Sequence, residues 1–408
     1  MNLHIRPILS AMLRNRTGAI LMVLQIAFTF AVIVNSTFII QTRIEKMSRD
    51  TGMDEPDIIS HSVQGFGDDF DSHAMVREDM AWLMAQSDIV AATPINSTPL
   101  SGGGWGTGLN PENDMEINVS AGIFWGTEHM LDTLGVQLVA GRNFQPSEIG
   151  WFQDGEALTP QAAIITQALA DQLFPDGTDP LGQRLQFGQG ADGEDHFVTV
   201  VGVIERMHGA WVSWDSLENV ALISGVLPGP YYRYLIRSQD GMRDSAMAQV
   251  EEGLVDLNPN RVIGTLRSLE EIKADSYEGD RAMAVVMGVV MVLLIAITAM
   301  GIVGLASFAV NQRTKQIGTR RAVGARKGNI LNYFLTENLL VTTFGLVAGV
   351  GLTIGFNIWL VNQWELPKLN LMYIPFGLVF LWLLGLLATM QPARRASNVS
   401  PAVATRTV

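Results

Sequence analysis

Four long apolar runs punctuate the chain. Residues 17–40 read TGAILMVLQIAFTFAVIVNSTFII without a charge, and residues 283–310 are also uncharged. Two more runs, 339–361 and 373–390, are separated by only eleven residues. A membrane-spanning helix needs about 20 predominantly apolar residues, down to about 17, so all four are predicted to cross a bilayer. The short link makes the last two an antiparallel hairpin. A signal peptide is the other reading of the first run. Its 24 residues exceed a signal h-region, however, and no small-x-small cleavage site follows, which favours an uncleaved anchor.

Between the first and second runs the pattern changes to mixed α/β. Val76, Met80, Leu83 and Met84 share one helical face, as do Met247, Val250, Leu254 and Leu257. Ser268 followed by Glu271 has capping-box spacing and opens a helix leading toward the second span. VTVVGVI (198–204) and AAIIT (162–166) read as buried strands, and MEINV (115–119) as a half-exposed one. STPLSGGGWGTG (97–108) and FPDGTDPLG (174–182) read as loops. Residues 50–110 and 115–240 each carry helix and strand signals, so two lobes are expected. Ahead of the first run, Ile5, Ile8, Leu9, Met12 and Leu13 recur at helical spacing with Arg6 and Arg16 off the stripe. That start is either a helix lying in the membrane interface or a frayed terminus.

Composition agrees with a membrane chain. Of 408 residues 48% are hydrophobic and 16% charged, with mean hydropathy +0.22, against roughly 25% charged in soluble domains. Charge then sets the orientation. Arg6, Arg14 and Arg16 precede the first span. Arg313, Lys315, Arg320, Arg321, Arg326 and Lys327 lie within 311–330, and Arg394, Arg395 and Arg406 lie after 390. These three short segments contain no acid, and short Lys/Arg-rich segments stay cytoplasmic. Residues 41–281 instead carry 14 bases and 38 acids, a net −24, and are placed outside. That balance favours solubility and repels anionic surfaces, nucleic acid included. The fold class is therefore an α-helical membrane protein with four transmembrane helices and a large α/β exported domain inserted between the first and second, a domain that would be periplasmic in an inner-membrane protein. The expected layout is a cytoplasmic amphipathic helix (1–16), a span (17–40), a two-lobed periplasmic domain (41–282) and a span (283–310). A cytoplasmic coupling segment (311–338), a span (339–361), a periplasmic link (362–372), a span (373–390) and a cytoplasmic tail (391–408) follow.

Candidate chemistry is sparse. The chain has no cysteine, which excludes disulfides, thiol catalysis and cysteine metal sites. No GxxxxGK[ST] loop occurs. The glycines of 102–108 do not fit GxGxxG and read as a flexible loop presenting Trp105. Asp68, Asp69 and Asp192 to Asp195 sit among glycines as solvated loops. The histidines at 61, 73, 129, 196 and 208 lack metal-ligand spacing, and nothing marks a Ser–His–Asp site. Ion-coupled carriers place ionisable groups or broken helices at mid-membrane, whereas Glu337 is the only acid near a span and lies at the margin of the third. Pairing with Lys327 or Arg326 and a signalling role both remain open for it. Gly345 with Gly349, and Gly351 with Gly355, have GxxxG spacing for close helix packing, within the subunit or across a dimer. Trp359, Trp364 and Tyr373 are placed as interfacial anchors. A ligand sensor would need a substantial cytoplasmic output domain, and an anchored periplasmic enzyme would need a catalytic constellation and only one span.

An acidic chain with a basic elbow and no energy source of its own must be driven by another chain. The segment NQRTKQIGTRRAVGARKGNI (311–330) resembles the ERTREIGxxxALGA segment of the MacB/FtsX-like ABC transporter permeases, the mechanotransmission or type VII family. LGVQLVAGRNF (134–144), ALADQLFPDGTDPLGQRL (168–185) and TVVGVI (199–204) resemble that family's periplasmic core domain. FLTEN (334–338) and QPARRASNVSPAVATR (391–406) resemble its membrane part. The resemblance implies an inner-membrane permease dimer, homomeric or with a related permease, on two ATPase subunits that bind ATP and Mg. This chain would hold no cofactor, metal or catalytic residue. A periplasmic adaptor, an outer-membrane duct and membrane lipids are the further implied partners, and an FtsX-like regulatory role is the alternative to export. Carried over to this sequence, Arg313, Thr314, Ile317, Gly318, Ala322, Gly324 and Ala325 fill the coupling motif, with Arg320, Arg321 and Arg326 adding charge. Arg313 would be a docking charge, and Gly318 and Gly324 would turn the ends of a coupling helix. Gln312 and Gln316 stand where the family usually has glutamates, leaving the elbow uniformly basic.

Overall fold

The computed structural model describes residues 16–67, 70–189, 195–258, 260–364 and 368–400. The interfacial helix expected over 1–16 therefore lies outside the described residues except for Arg16, as do Asp68, Asp69, Asp192 and the last residues of the tail. One compact unit is Arg49–Gly279, and the flanking segments form the other. The inserted unit is narrower than 41–282 because the helices on either side continue past their apolar runs.

After the helix α1 (Arg16–Met47), the inserted unit begins with β1 (Ile58–Gly65), α2 (Ser72–Met84) and β2 (Ile89–Ile95). Next come β3 (Trp105–Pro111), β4 (Val119–Gly126), α3 (Met130–Leu134), β5 (Leu138–Gly141) and β6 (Gly150–Trp151). β7 (Ala162–Thr166), α4 (Gln167–Leu173), β8 (Arg184–Gln189), β9 (Asp195–Ile204) and β10 (Val220–Val226) follow. The unit closes with β11 (Tyr231–Ser238), α5 (Arg243–Leu257), β12 (Arg261–Ile263), β13 (Arg267–Ser268) and α6 (Leu269–Ser276).

The strands make two sheets. One has the order β12-β1-β11-β2, with β13 also on β1. The other runs β4-β3-β8-β9-β7-β10, and β10 returns to pair with β4, so six strands close on themselves. Closure removes exposed strand edges. Alternation along β7 and β10 explains why both read as continuous apolar runs. Ala163, Ile165, Ala221 and Ile223 pack with Trp125 and Val200 in one core. Ala162, Ile164, Val220 and Leu222 pack with Ile58, Ile95 and Leu235 of the first sheet in another. A third core sets Ile59, Val63 and Ile236 against Val76, Leu83, Val250 and Leu254 of α2 and α5. The capping box of Ser268 and Glu271 forms and opens α6.

Three expectations are corrected here. The lobes do not divide as 50–110 and 115–240. Residues 231–276 return to the first sheet, because β1 pairs antiparallel with β11 from Ile58 opposite Arg237 to Gln64 opposite Tyr231. MEINV contributes only Val119 to a strand. Asn110 Nδ2 donates to the carbonyls of Met115 and Ile117 at 3.1 and 2.7 Å and holds that segment in a turn. Trp105 is not on a free loop: it starts β3 and its ring lies 6.1 Å from that of Trp125.

Beneath α2 lies a buried polar network. Asp79 accepts from Arg261 Nη1 at 2.6 Å and from the Tyr234 hydroxyl at 2.8 Å. Both ion-pair side chains are fully buried. His61, opposite Tyr234 in the ladder, is 1% exposed and neither ring nitrogen has a hydrogen-bond partner.

The other unit contains α1, α7 (Glu278–Gln312), α8 (Thr314–Ala322), α9 (Lys327–Trp364) and α10 (Tyr373–Ser397). Four of these are long and apolar enough to cross a membrane. With 35 residues, α7 is about 50 Å long at 1.5 Å per residue, more than a hydrocarbon core of about 30 Å. Ile26, Phe30 and Val34 of α1 pack with Leu346 of α9 and Leu381 of α10. The spans carry no mid-membrane charge but are not purely apolar. The Thr29 and Thr298 hydroxyls meet at 2.8 Å in a buried contact, and Gln25 Nε2 donates to the Ile297 carbonyl at 3.1 Å, tying α1 to α7.

The two glycine pairs of α9 do different things. A Cβ on Gly345 would lie 2.8 Å from Ile26 Cβ, and one on Gly349 would lie 2.9 Å from Phe30. Nothing described lies within 4 Å of such an atom on Gly351 or Gly355. Gly349→Val is therefore expected to destabilise the subunit by about 1–3 kcal/mol through overpacking, and Gly355→Val to leave it unchanged. Thermal unfolding in detergent separates them, and equal shifts would contradict this division.

Candidate coupling site

The basic elbow is built as a helix, a turn and a helix start. α7 ends at Gln312, and the Arg313 amide still bonds back to Val310 at 3.1 Å. The Thr314 hydroxyl donates to the Val310 carbonyl at 3.1 Å across the junction. At the far end of α8, Ala325 N–H bonds to the Arg320 carbonyl at 3.0 Å and Gly324 N–H to that of Arg321 at 3.2 Å. This pair is the Schellman stop, which needs a left-handed residue after the cap, and Gly324 has φ +103°. α9 starts at once, with the Arg326 carbonyl accepting from Asn329 at 3.0 Å. Gly324 thus takes the turning role expected of it. Gly318 does not, because it lies inside α8, buried beside Ile317.

A small core holds the elbow in place. Ile317 packs with Val310, Ile330, Phe334, Ala393 and Ala396, joining the end of α7, α8, the first turns of α9 and the last turns of α10. Ala325 packs against its edge. Arg313 Nη1 donates to both carboxylate oxygens of Glu337, at 3.0 and 2.8 Å, with side chains 19% and 14% exposed. This corrects one expectation: the partner of Glu337 is Arg313 rather than Lys327 or Arg326, so the charge expected to dock is paired within the subunit. The helical geometry explains it: the bend at 313 turns the guanidinium back onto α9, nearly three turns from its start at Lys327. Arg321 donates to the Ser397 carbonyl, and Lys327 Nζ to Asn398 Oδ1 at 2.8 Å. The Arg320 guanidinium lies 5.3 Å from the Tyr333 ring, a cation–π distance.

The remaining residues define the outer face. Lys315, Thr319, Ala322, Val323 and Arg326 are exposed, and Val323 is 84% exposed at the tip. Arg320 and Gly324 are exposed beside them. The structure thus divides the motif: Arg313, Thr314, Ile317, Gly318, Arg321 and Ala325 build the elbow, while Arg320, Ala322, Gly324 and Arg326 surface on it. Lys315 and Val323 belong to the same face and escaped the motif reading. Spacing of four and eight residues from Lys315 to Thr319 and Val323 was the available signal.

Family models place the chain. Residues 19–253 match the MacB-like periplasmic core domain, more than half the chain, and residues 288–401 match the FtsX-like permease C-terminal domain. One similar protein is the macrolide export ATP-binding/permease protein MacB of Neisseria meningitidis serogroup A, 28% identical over 300 residues, covering 71% of this chain and 42% of that protein. The probable syringafactin export ATP-binding/permease protein SyfD of Pseudomonas syringae is 26% identical, covering 70% of this chain and 42% of its own. The chain spans about half the length, or less, of the curated relatives it matches. The crystal structure of the periplasmic region of MacB from Actinobacillus actinomycetemcomitans aligns with TM-score 0.35 and 15% identity, covering 57% of this chain and 97% of that one. The two family domains, in order and with four apolar helices, make this chain a member of the MacB/FtsX-like ABC transporter permeases.

Proposed function

We propose that the chain is the permease subunit of an ABC transporter, driven through its elbow by two partner ATPase subunits that bind ATP and Mg. The bias of Lys and Arg puts the elbow and both ends of the chain in the cytoplasm, and the inserted domain in the periplasm of an inner-membrane protein. A second permease, identical or related, completes the assembly. ATP-driven closure of the ATPases presses on α8, and α7 carries the movement to the inserted domain. The work done there is extrusion of a substrate with a periplasmic adaptor and outer-membrane duct, by analogy with relatives named as exporters.

One observation carries this reading. α8 offers an uncovered basic stripe with Val323 at its tip, while its opposite face is locked to α9 and α10 by Ile317 and the Arg313–Glu337 pair. A helix held in that way transmits a push instead of folding aside. Polar and apolar groups on the exposed face of one short helix also suit a groove on a partner.

The test replaces only outward residues. Lys315→Glu, Val323→Asp and Arg326→Glu together are expected to reduce co-purified ATPase subunit by about tenfold or more, since hot-spot truncations cost 2 kcal/mol and above. Membrane insertion and monomer unfolding should not change. Undiminished co-purification from native membranes would remove the elbow as the docking site.

A further inference from the structure

The inserted domain carries an open cavity of about 540 Å³, within the range of about 300–1,000 Å³ common for small-ligand sites. It opens between the first sheet and the loop that follows β9, with α6 as a third wall. Its chemistry differs from the rest of the domain. In a segment with net charge −24, the cavity presents two guanidinium groups, Arg233 and Arg267, and one carboxylate, Asp275. Ser62, Ser213 and Thr265 add hydroxyls, and Trp211 and Tyr231 add aromatic faces.

Neither arginine is consumed by the fold. Arg233 lies opposite Ser62 in the β1–β11 ladder. Its guanidinium sits 5.3 Å from the Tyr231 ring and reaches the Asn96 carbonyl at 3.5 Å, the outer limit of a hydrogen bond. No salt bridge to it forms among the described residues. Arg267 pairs with Asp275, but the two side chains are 41% and 67% exposed, and an exposed pair is worth about 1 kcal/mol or less. A ligand anion can compete for it.

A separate observation marks the same place. Leu100 has φ +63° and is fully buried, a left-handed conformation that is uncommon outside glycine. Its amide bonds to the Gly209 carbonyl at 3.0 Å and its carbonyl accepts from Ser276. The next two residues, Ser101 and Gly102, line the cavity. Strain of this kind persists only where surrounding structure enforces it, and it clusters at ligand sites.

We propose that this cavity binds a ligand bearing a carboxylate or phosphate, with Arg233 and Arg267 as its anchors and Trp211 and Tyr231 against its uncharged part. Arginine is the residue best matched to the flat, two-oxygen geometry of either anion. The volume admits a group the size of a short peptide or a lipid headgroup. This reading does not depend on how the permease is driven.

Calorimetric titration of the full chain in detergent tests it with two probes, glycerol 3-phosphate and N-acetyl-dialanine. Glycerol and N-acetyl-dialanine amide are the uncharged controls. The expected result is one saturable site per chain for at least one anion and none for its control, and the probe that binds separates a phosphate source from a carboxylate source. Arg233→Gln should weaken binding about tenfold or more, in line with a lost hydrogen bond to a charged group. Asp275→Asn should strengthen it several-fold by releasing Arg267, a gain that loss of fold cannot mimic. Thr265→Glu, at an exposed rim position, should abolish it by placing a like charge at the mouth. Failure of both anions to bind, or binding indifferent to Arg233→Gln and Asp275→Asn, would overturn the proposal.

Discussion

Replacing Asp79 with alanine is expected to destabilise the inserted domain by about 3–5 kcal/mol, the cost of leaving a buried charge without its partner. The geometry makes this site severe. Arg261 is fully buried and its Nη2 already lacks a partner, so loss of the 2.6 Å bond to Asp79 leaves its cation with only the Asn258 carbonyl at 3.1 Å. The Tyr234 hydroxyl loses its acceptor at the same time. Because α2, β11 and β12 meet at this point, hydrogen exchange should rise first in α2 and β12. The double change Asp79→Leu with Arg261→Met should recover most of the loss, since a buried ion pair is often no better than well-packed apolar groups. Thermal unfolding of the three proteins checks both signs. A double variant worse than Asp79→Ala would contradict the argument.

Acid is expected to weaken the same lobe before it weakens the rest. Burial first, and the nearby Arg261 cation second, lower the His61 pKa from 6.5 to about 4. His61 is thus neutral in the fold at pH 6, while the unfolded chain begins to take up a proton below 6.5. Stability from this group is complete above pH 6.5 and falls as the pH drops toward 4, by up to about 3 kcal/mol. Burial also pushes the Asp79 carboxyl up, which has the opposite sign and offsets part of the loss near the lower end. His208, fully buried and likewise lowered by desolvation, adds to the acid sensitivity. Unfolding midpoints of the wild type and His61→Leu at pH 7.0, 5.5 and 4.5 separate these contributions. The variant should lose less between pH 7.0 and 4.5, and parallel curves would refute the role of His61.

Local signals were legible where one residue type has one cheap conformation. Ser268 and Glu271 form the capping box that their spacing calls for, and Gly324 stops α8 in the left-handed geometry a glycine favours. Failures occurred where a distant partner decides. MEINV alternates like a strand, yet Asn110 captures two of its carbonyls and takes it out of the ladder. Gly318 looks like a second turn residue, yet the small core around Ile317 places it within the helix. Arg313 looks like a surface charge, yet the bend before α8 points it at Glu337. Each error has the same cause: side-chain chemistry is local, but its partner is set by packing.

By itself the sequence determined that four uncharged runs enter a membrane, that charge separates the elbow from the inserted segment, and that the order of motifs belongs to one permease family. Those properties add up along the chain, because transfer of apolar side chains and exclusion of Lys and Arg are sums over neighbours. Only the tertiary structure decided which faces are available. It divided the elbow into a locked side and the stripe from Lys315 to Arg326, and returned β11 to β1 across some 170 residues. It also gathered Arg233 and Arg267 beside Trp211 in one cavity. Such contacts join residues far apart in the chain, and their energies depend on burial and geometry that no short stretch contains.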